Sequence, residues 1–401
     1  MWTAAVFLVT GLSLGPPQVQ ADTLVLLTGS EDGSYIEIGR ILAQILEGSI
    51  PGLTVEVRPS GGSVANILAL GSGDADLVIA QSDVASHGAR GESMFADYGR
   101  QPAQAVMGLH SEDVLVLARK DLNLISAELL DSSHRLVVGL EGSGTRDNAG
   151  DVLAQLGLGF DDVDTIGRDP RKSLNLLRTD SADLVFLTGG ISPGYWDTVA
   201  AHDAEPLDLG EPLVGELLKE RRYYQRSGFQ HDGEDINTVR VRAVLLAHSD
   251  LPNERVRRIT EAIYTRLPEI RASTDLAKGM LPGTVRDNIP TRFHPGADAF
   301  YCQEGTGGCM PLGSMAFLGL LGFLGLAFVA LGFSATLRRG LTRAAPRFAE
   351  KLVGPYGMTD RYRYLVIPVL ITIIIMGGSV LIQAAEIQYA KTHNVTSEFE
   401  G

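Results

Sequence analysis

The chain has 401 residues, 45% of them hydrophobic, and a formal net charge of −14. Up to Leu312 it carries 26 basic and 43 acidic side chains, a net of −17, against eight and five beyond that point. So acidic a body lacks the basic footprint that phosphate backbones require, which excludes nucleic acid as a partner.

The first 21 residues hold an apolar run from Ala4 to Leu14, then Pro16 and Pro17, then Val19-Gln20-Ala21 before Asp22. This is the layout of a secretory signal peptide cleaved after Ala21, although no Lys or Arg precedes the apolar run. Past it, short apolar runs alternate with stretches of helical period. Thr23 to Leu27 reads as a strand, and Ile36 to Leu46 as a helix with Ile38, Ile41, Leu42 and Ile45 on one face. Leu53 to Arg58 is the next strand, a Gly-Gly-Ser turn opens the next helix, and Asp76 to Ala80 is the third strand. Such alternation is the pattern of βαβ units on a parallel sheet.

Val114 to Ala118 reads as a long buried strand, Leu136 to Gly139 begins a second set, and Leu184 to Leu187 repeats it. Val239 to Ala247 is another long strand, followed by a helix over Asn253 to Leu267. The predicted fold class is therefore α/β with two lobes and a hinge, the two long strands being candidate crossings. The first part of lobe 1 is placed at 22–112 and lobe 2 at 113–238. Residues 239–311 return to lobe 1 and form a membrane-proximal neck.

Residues 312–333 and 364–383 are uncharged runs of 22 and 20 residues. Each is long enough to cross the roughly 30 Å hydrocarbon layer as a helix, so a lipid bilayer is an expected partner. The segment between them, 334–363, holds Arg338, Arg339, Arg343, Arg347, Lys351, Arg361 and Arg363 against Glu350 and Asp360. Short Lys/Arg-rich loops stay cytoplasmic. That orientation places residues 22–311 and the tail 384–401 outside, in agreement with the signal peptide. Cys302 and Cys309, just before the first run, lie in a Gly-rich loop that can close as a disulfide in an oxidising exterior, the alternative being two free thiols.

Three turns share one design. Gly33-Ser34-Tyr35, Gly61-Gly62-Ser63 and Gly142-Ser143-Gly144-Thr145 each put Gly and hydroxyl residues ahead of a predicted helix. Free N–H groups and the positive end of the helix dipole can there hold a carboxylate or phosphate without a cationic side chain. Each turn taken alone is equally satisfied as a simple cap. Gly142 to Thr145 lacks the Lys of a P-loop and the spacing of a dinucleotide fingerprint. Gly190-Ile-Ser192-Pro193-Gly194 matches the letters of a nucleophile elbow, but Pro193 has no N–H for the oxyanion hole. The eight histidines form no pair at metal-ligand spacing. No catalytic residue, metal site or cofactor is expected.

Five segments in order carry a resemblance: 33–46, 60–85, 137–158, 181–193 and 289–301, the last with His294-Pro-Gly-Ala297. Together they resemble the TAXI family of solute-binding proteins, the extracytoplasmic receptors of TRAP-type permeases. The resemblance implies a periplasmic-binding-protein-like fold that shuts on a ligand of the glutamate or 2-oxoglutarate class. Carried onto this chain, it implies ligand contacts from Ser34, Tyr35, Gly62, Ser63, Gln81 and Ser82 on one lobe. Gly142, Ser143, Gly144 and Thr145 would close from the other, with Phe186, Thr188 and Gly189 as a wall and His294 bracing a lobe.

Glu31 and Asp32 stand in the first loop where relatives are Gly-rich, and Ile36 replaces an aromatic. Added negative charge beside an anion site favours an amino acid or a cation-bridged ligand over a bare dicarboxylate. The membrane hairpin is a further departure from relatives that float free in the periplasm. The expectation is a receptor tethered to a bacterial cytoplasmic membrane, its soluble part in the periplasm, delivering a small carboxylate to a TRAP-type permease. A ligand sensor signalling through the hairpin to a cytoplasmic partner is the alternative.

Overall fold

A computed structural model describes residues 22–305. The expected signal peptide, both apolar spans, the basic loop between them, the tail and Cys309 lie outside the described residues. Cys302 is disulfide-bonded.

The chain first lays down β1 (Asp22–Leu27), α1 (Ser34–Ser49), β2 (Leu53–Arg58), α2 (Ser63–Ser72), β3 (Leu77–Gln81) and α3 (Ser82–Arg90). The long β4 (Ala103–Arg119) leads to β5 (Arg135–Val137), α4 (Gly144–Gln155), β6 (Asp164–Ile166), α5 (Leu174–Arg178), β7 (Leu184–Gly189) and α6 (Pro193–Ala200). There follow β8 (Ala204–Pro206), α7 (Glu211–Glu220), β9 (Gln225–His231) and the long β10 (Glu234–His248). Three helices end the described chain: α8 (Asn253–Thr265), α9 (Leu267–Ser273) and α10 (Pro295–Gln303).

The main sheet path runs β2-β1-β3-β10-β4-β7-β5-β6. β1 pairs in parallel with β2 and β3, and β5 in parallel with β6 and β7, as helical crossovers require. Between these two parallel sets lie β4 and β10, antiparallel to each other and to both neighbours.

Those two strands divide the molecule into lobes. Val106, Met107, Leu109 and Ala243 to Ala247 belong to cores that pack against α1, α8, α9 and α10 on one face, and α2 and α3 on the other. Val114 to Ala118, Val239 and Val241 belong to cores packed by α4 and α7, and by α5 and α6. Each lobe is thus a three-layer α/β/α unit, and the chain passes between lobes near 110–113 in β4 and 240–242 in β10. A register shift between Arg242 and Val244 interrupts the β4–β10 ladder beside this passage, an irregularity that lets a strand bend. Gly108 is required there, since a Cβ would fall 2.4 Å from the Arg242 Nε.

Several boundaries move from their sequence positions. Val114 to Ala118 is only the lobe 2 half of β4. The helix expected over 253–267 ends at Thr265, and a new helix starts with Pro268 in its first turn, because proline cannot donate to the preceding ladder. The helix α3 was not expected at all. It follows β3 without a loop and stops at Gly91, whose φ of 68° suits glycine.

Candidate functional site

Three helix N-termini face each other where the lobes meet. α1 starts behind Gly33, α2 behind Gly62 and α4 behind Ser143. They border a cavity of about 110 Å³ lined from both lobes. It lies at the carboxyl ends of β1, β3 and β7, where ligands of open α/β sheets are held.

The lobes touch across this cleft. The Val64 N–H donates to the Gly142 carbonyl of the opposite lobe at 3.1 Å. Gly62 has φ 113° and ψ −164°, which only glycine adopts readily, and a Cβ there would lie 3.3 Å from the Ser143 Cα. At Gly144 a Cβ would come within 1.8 Å of the Gln81 Oε1. The second and third turns therefore act as one contact, in which missing side chains let one backbone approach the other.

Around the cavity most polar groups are paired within the protein, but not all. Ser63 Oγ accepts from the Gln81 N–H at 3.0 Å, and Thr145 Oγ1 from the Thr188 N–H at 3.2 Å. Gln81 Oε1 and Thr188 Oγ1 are buried without a partner. At the floor, the Tyr35 hydroxyl donates to Glu112 Oε2 at 2.8 Å, and His110 Nε2 lies 3.2 Å from Ser34 Oγ.

Burial pushes the Glu112 carboxyl up to about 8, reinforced by the charge of Asp83 and opposed by the Tyr35 hydrogen bond and Arg171. The same burial, with the positive fields of Arg171 and Arg242, lowers His110 to about 3. At neutral pH the floor is therefore a protonated carboxyl beside a neutral imidazole. Arg171 reaches the cavity with its guanidinium 4.7 Å over the Tyr195 ring and one amine donating to the Gly190 carbonyl at 2.7 Å.

Of the residues named from the sequence, Ser34, Tyr35, Gly62, Ser63 and Gln81 line the cavity from lobe 1. Ser143, Gly144, Thr145, Thr188 and Gly189 line it from lobe 2. Three others do not. Gly142 meets the opposite lobe through its carbonyl. Ser82 begins α3, fully buried, and its Oγ accepts from the Arg242 N–H at 3.2 Å. Phe186 shares a strand face with Thr188 but sits two residues deeper, in the lobe 2 core.

His294 caps α10, its Nδ1 accepting from the Gly296 N–H at 3.1 Å, and its own N–H donates to the Ala105 carbonyl at 2.8 Å. It holds α10 against lobe 1, and Gly296 allows α8 to come close: a Cβ would fall 2.1 Å from the Asn253 carbonyl oxygen. Ser192 is exposed and outside the cavity lining. Among the described residues no group of three or more His, Cys, Asp or Glu is placed to hold a metal ion. Sequence reasoning missed Glu112, His110 and Arg171.

Solved structures similar to this chain include the alkanesulfonate-binding protein SsuA from Xanthomonas axonopodis pv. citri, bound to MOPS. It is 15% identical, with 69% of this chain and 86% of that chain covered and a TM-score of 0.41. PhnD1 from Prochlorococcus marinus (MIT 9301), in complex with methylphosphonate, is 13% identical over 64% of this chain and 90% of its own, with a TM-score of 0.44. The periplasmic binding protein BugD is 14% identical over 71% and 98%, with a TM-score of 0.46. In the sequence itself, residues 26–305 match the NMT1-like family, a span that includes both lobes and every residue of the cleft. The chain belongs to the NMT1-like family.

Proposed function

We propose that this chain is an extracytoplasmic solute receptor of the TAXI type, which takes a small carboxylate between its lobes and hands it to a TRAP-type permease. One observation carries the reading. Helix N-termini from both lobes border a single cavity in which the buried Gln81 Oε1 and Thr188 Oγ1 have no partner. Backbone amides and the Arg171 guanidinium supply donors for a carboxylate, and a ligand held by both lobes favours the shut arrangement over the open one.

The apolar segments 312–333 and 364–383 would anchor the receptor in the cytoplasmic membrane, with its lobes in the periplasm. Tethering raises the effective concentration at a permease, so weak docking suffices. The test is thermal unfolding of the full-length chain against amino acids, 2-oxoglutarate and simple dicarboxylates. A ligand at 100 times its dissociation constant stabilises the native state by about 2.7 kcal/mol. Absence of any shift across small carboxylates at millimolar concentration would end the receptor reading.

A further inference from the structure

The cavity lining carries both hydrogen-bond donors and acceptors that lack a partner. Amide-rich helix starts and Arg171 offer hydrogen-bond donors. Among them, at the strand ends, are acceptors: Gln81 Oε1 and Thr188 Oγ1 have no donor, and Glu112 has one oxygen, Oε2, occupied by the Tyr35 hydroxyl. Its other oxygen, Oε1, lies 3.7 Å from His110 Nε2, beyond hydrogen-bond reach. An ammonium group presents three donors and accepts nothing.

Charge points the same way. Among the described residues that line the cavity, Arg171 is the only Lys or Arg, and it stands against Asp169, with Glu112 adding a second negative charge only when it ionises. A dianion would add two negative charges to a lining that does not offset them. A zwitterion adds none.

We propose that Glu112 selects ligands that carry an ammonium beside the carboxylate, and that it gives up its proton to solvent when such a ligand binds. This rests on the receptor reading and adds to it the ligand's second charged group. The bound ammonium replaces the proton as the partner of Glu112, so the carboxyl ionises only with the cleft filled. The groups facing Glu112 are consistent with this. Tyr35 on α1 donates to it in either state, Asp83 on α3 and Asp113 on β4 oppose its ionisation in an empty cleft, and Arg171, which favours ionisation, is engaged by the Gly190 carbonyl and outweighed by burial. On β10, Arg240 is engaged by Asp113 and Arg242 by the Thr284 carbonyl, so neither serves as the counter-charge. Burial, which holds the acid protonated near neutrality, leaves a proton there to release.

The experiment is calorimetric titration of the full-length chain at pH 7, in two buffers of different ionisation enthalpy. It compares glutamate with glutarate and alanine with propionate, pairs that differ by the ammonium alone. The amino acid of at least one pair is expected to bind more than tenfold tighter than its partner and to release close to one proton. In Glu112→Gln, which is isosteric with the protonated acid, both the preference and the proton release are expected to vanish while the melting temperature is retained. Acids without the ammonium binding as tightly as their amino acids, or amino acids binding without proton release, would overturn the role of Glu112 and leave the receptor standing. Failure of every compound to bind would overturn both.

Discussion

Gly62→Val is expected to weaken ligand capture by roughly 5- to 150-fold, and Gly62→Ala by much less, although both variants lose stability. The two effects arise from different features of one residue. At φ 113° and ψ −164° any side chain strains the backbone in both the open and the shut molecule, a penalty of about 1–3 kcal/mol on folding. Steric conflict with Ser143 exists only when the lobes meet. An alanine Cβ stands 3.3 Å from the Ser143 Cα, which a small shift relieves, whereas valine adds two further carbons at that close approach. Overpacking of this kind costs about 1–3 kcal/mol, and because it falls on the shut state alone it appears as affinity. Denaturant melts of both variants, paired with ligand titrations, separate the terms. Equal affinity in the two variants would show that Gly62 does not meet the opposite lobe when ligand is bound.

Raising the pH from 6.5 to 8.5, above the titration of unfolded histidines, where the buried neutral His110 no longer opposes the trend, is expected to destabilise the native state. The cause lies behind the cavity, where α3 and α4 meet. Asp83 of lobe 1 accepts from Asn148 Nδ2 of lobe 2 at 2.6 Å, and that same amide donates to the Tyr224 hydroxyl at 2.9 Å. Asp151 receives the hydroxyls of Tyr223 at 2.7 Å and Tyr224 at 3.1 Å, and Arg221 at 3.0 Å. Burial pushes Asp83 up to about 6, against its hydrogen bond from Asn148. Burial also pushes Asp147 up to about 8, with the charges of Asp83 and Asp151 adding to it. Glu112 belongs with them.

All three carboxyls are raised above their unfolded values near pH 4, so the native state holds protons that the unfolded chain has released. Their stabilisation is fully present below about pH 4 and is lost as pH rises through 6 for Asp83 and 8 for Asp147 and Glu112. Each proton contributes a slope of about 1.4 kcal/mol per pH unit. Because Asp83 and Asp147 lie on opposite lobes, part of this loss falls on the contact between lobes. Asp147→Asn is expected to flatten the profile between pH 6 and 8. A denaturation midpoint that rises from pH 6.5 to 8.5 would contradict the account.

The glycine turns were legible because their signal is local: Gly33, Gly62 and Gly142 each precede a helix whose apolar face is visible in a dozen residues. The fold was legible for the same reason, from the spacing of short apolar runs. What lay hidden is tertiary. Glu112 follows the exposed Ser111 in a strand and reads as a solvent-facing charge until β4 is seen to run between lobes. Arg171 sits in Asp-Pro-Arg-Lys, where a solvated loop is the ordinary reading, and only the fold brings it over Tyr195. Phe186 was misplaced because β7 is buried along its whole length, so alternation cannot tell core from cleft. Ser82 was misplaced because α3 went unrecognised, although Gly91 marks its end. The pairing of Asp83 with Asn148 joins residues 65 apart, and nothing near either one announces the other.

The claim on which these expectations converge is that ligand draws two hinged lobes together over the cavity at Gly62 and Ser143. The direct test is the distance between spin labels at Ser72→Cys and Lys219→Cys, exposed positions on α2 and α7, in the full-length chain. Without ligand the distribution is predicted to be broad and to include longer separations. At saturating ligand it is predicted to narrow to the shorter one. A distribution unchanged by a ligand that calorimetry shows to be bound would contradict the account.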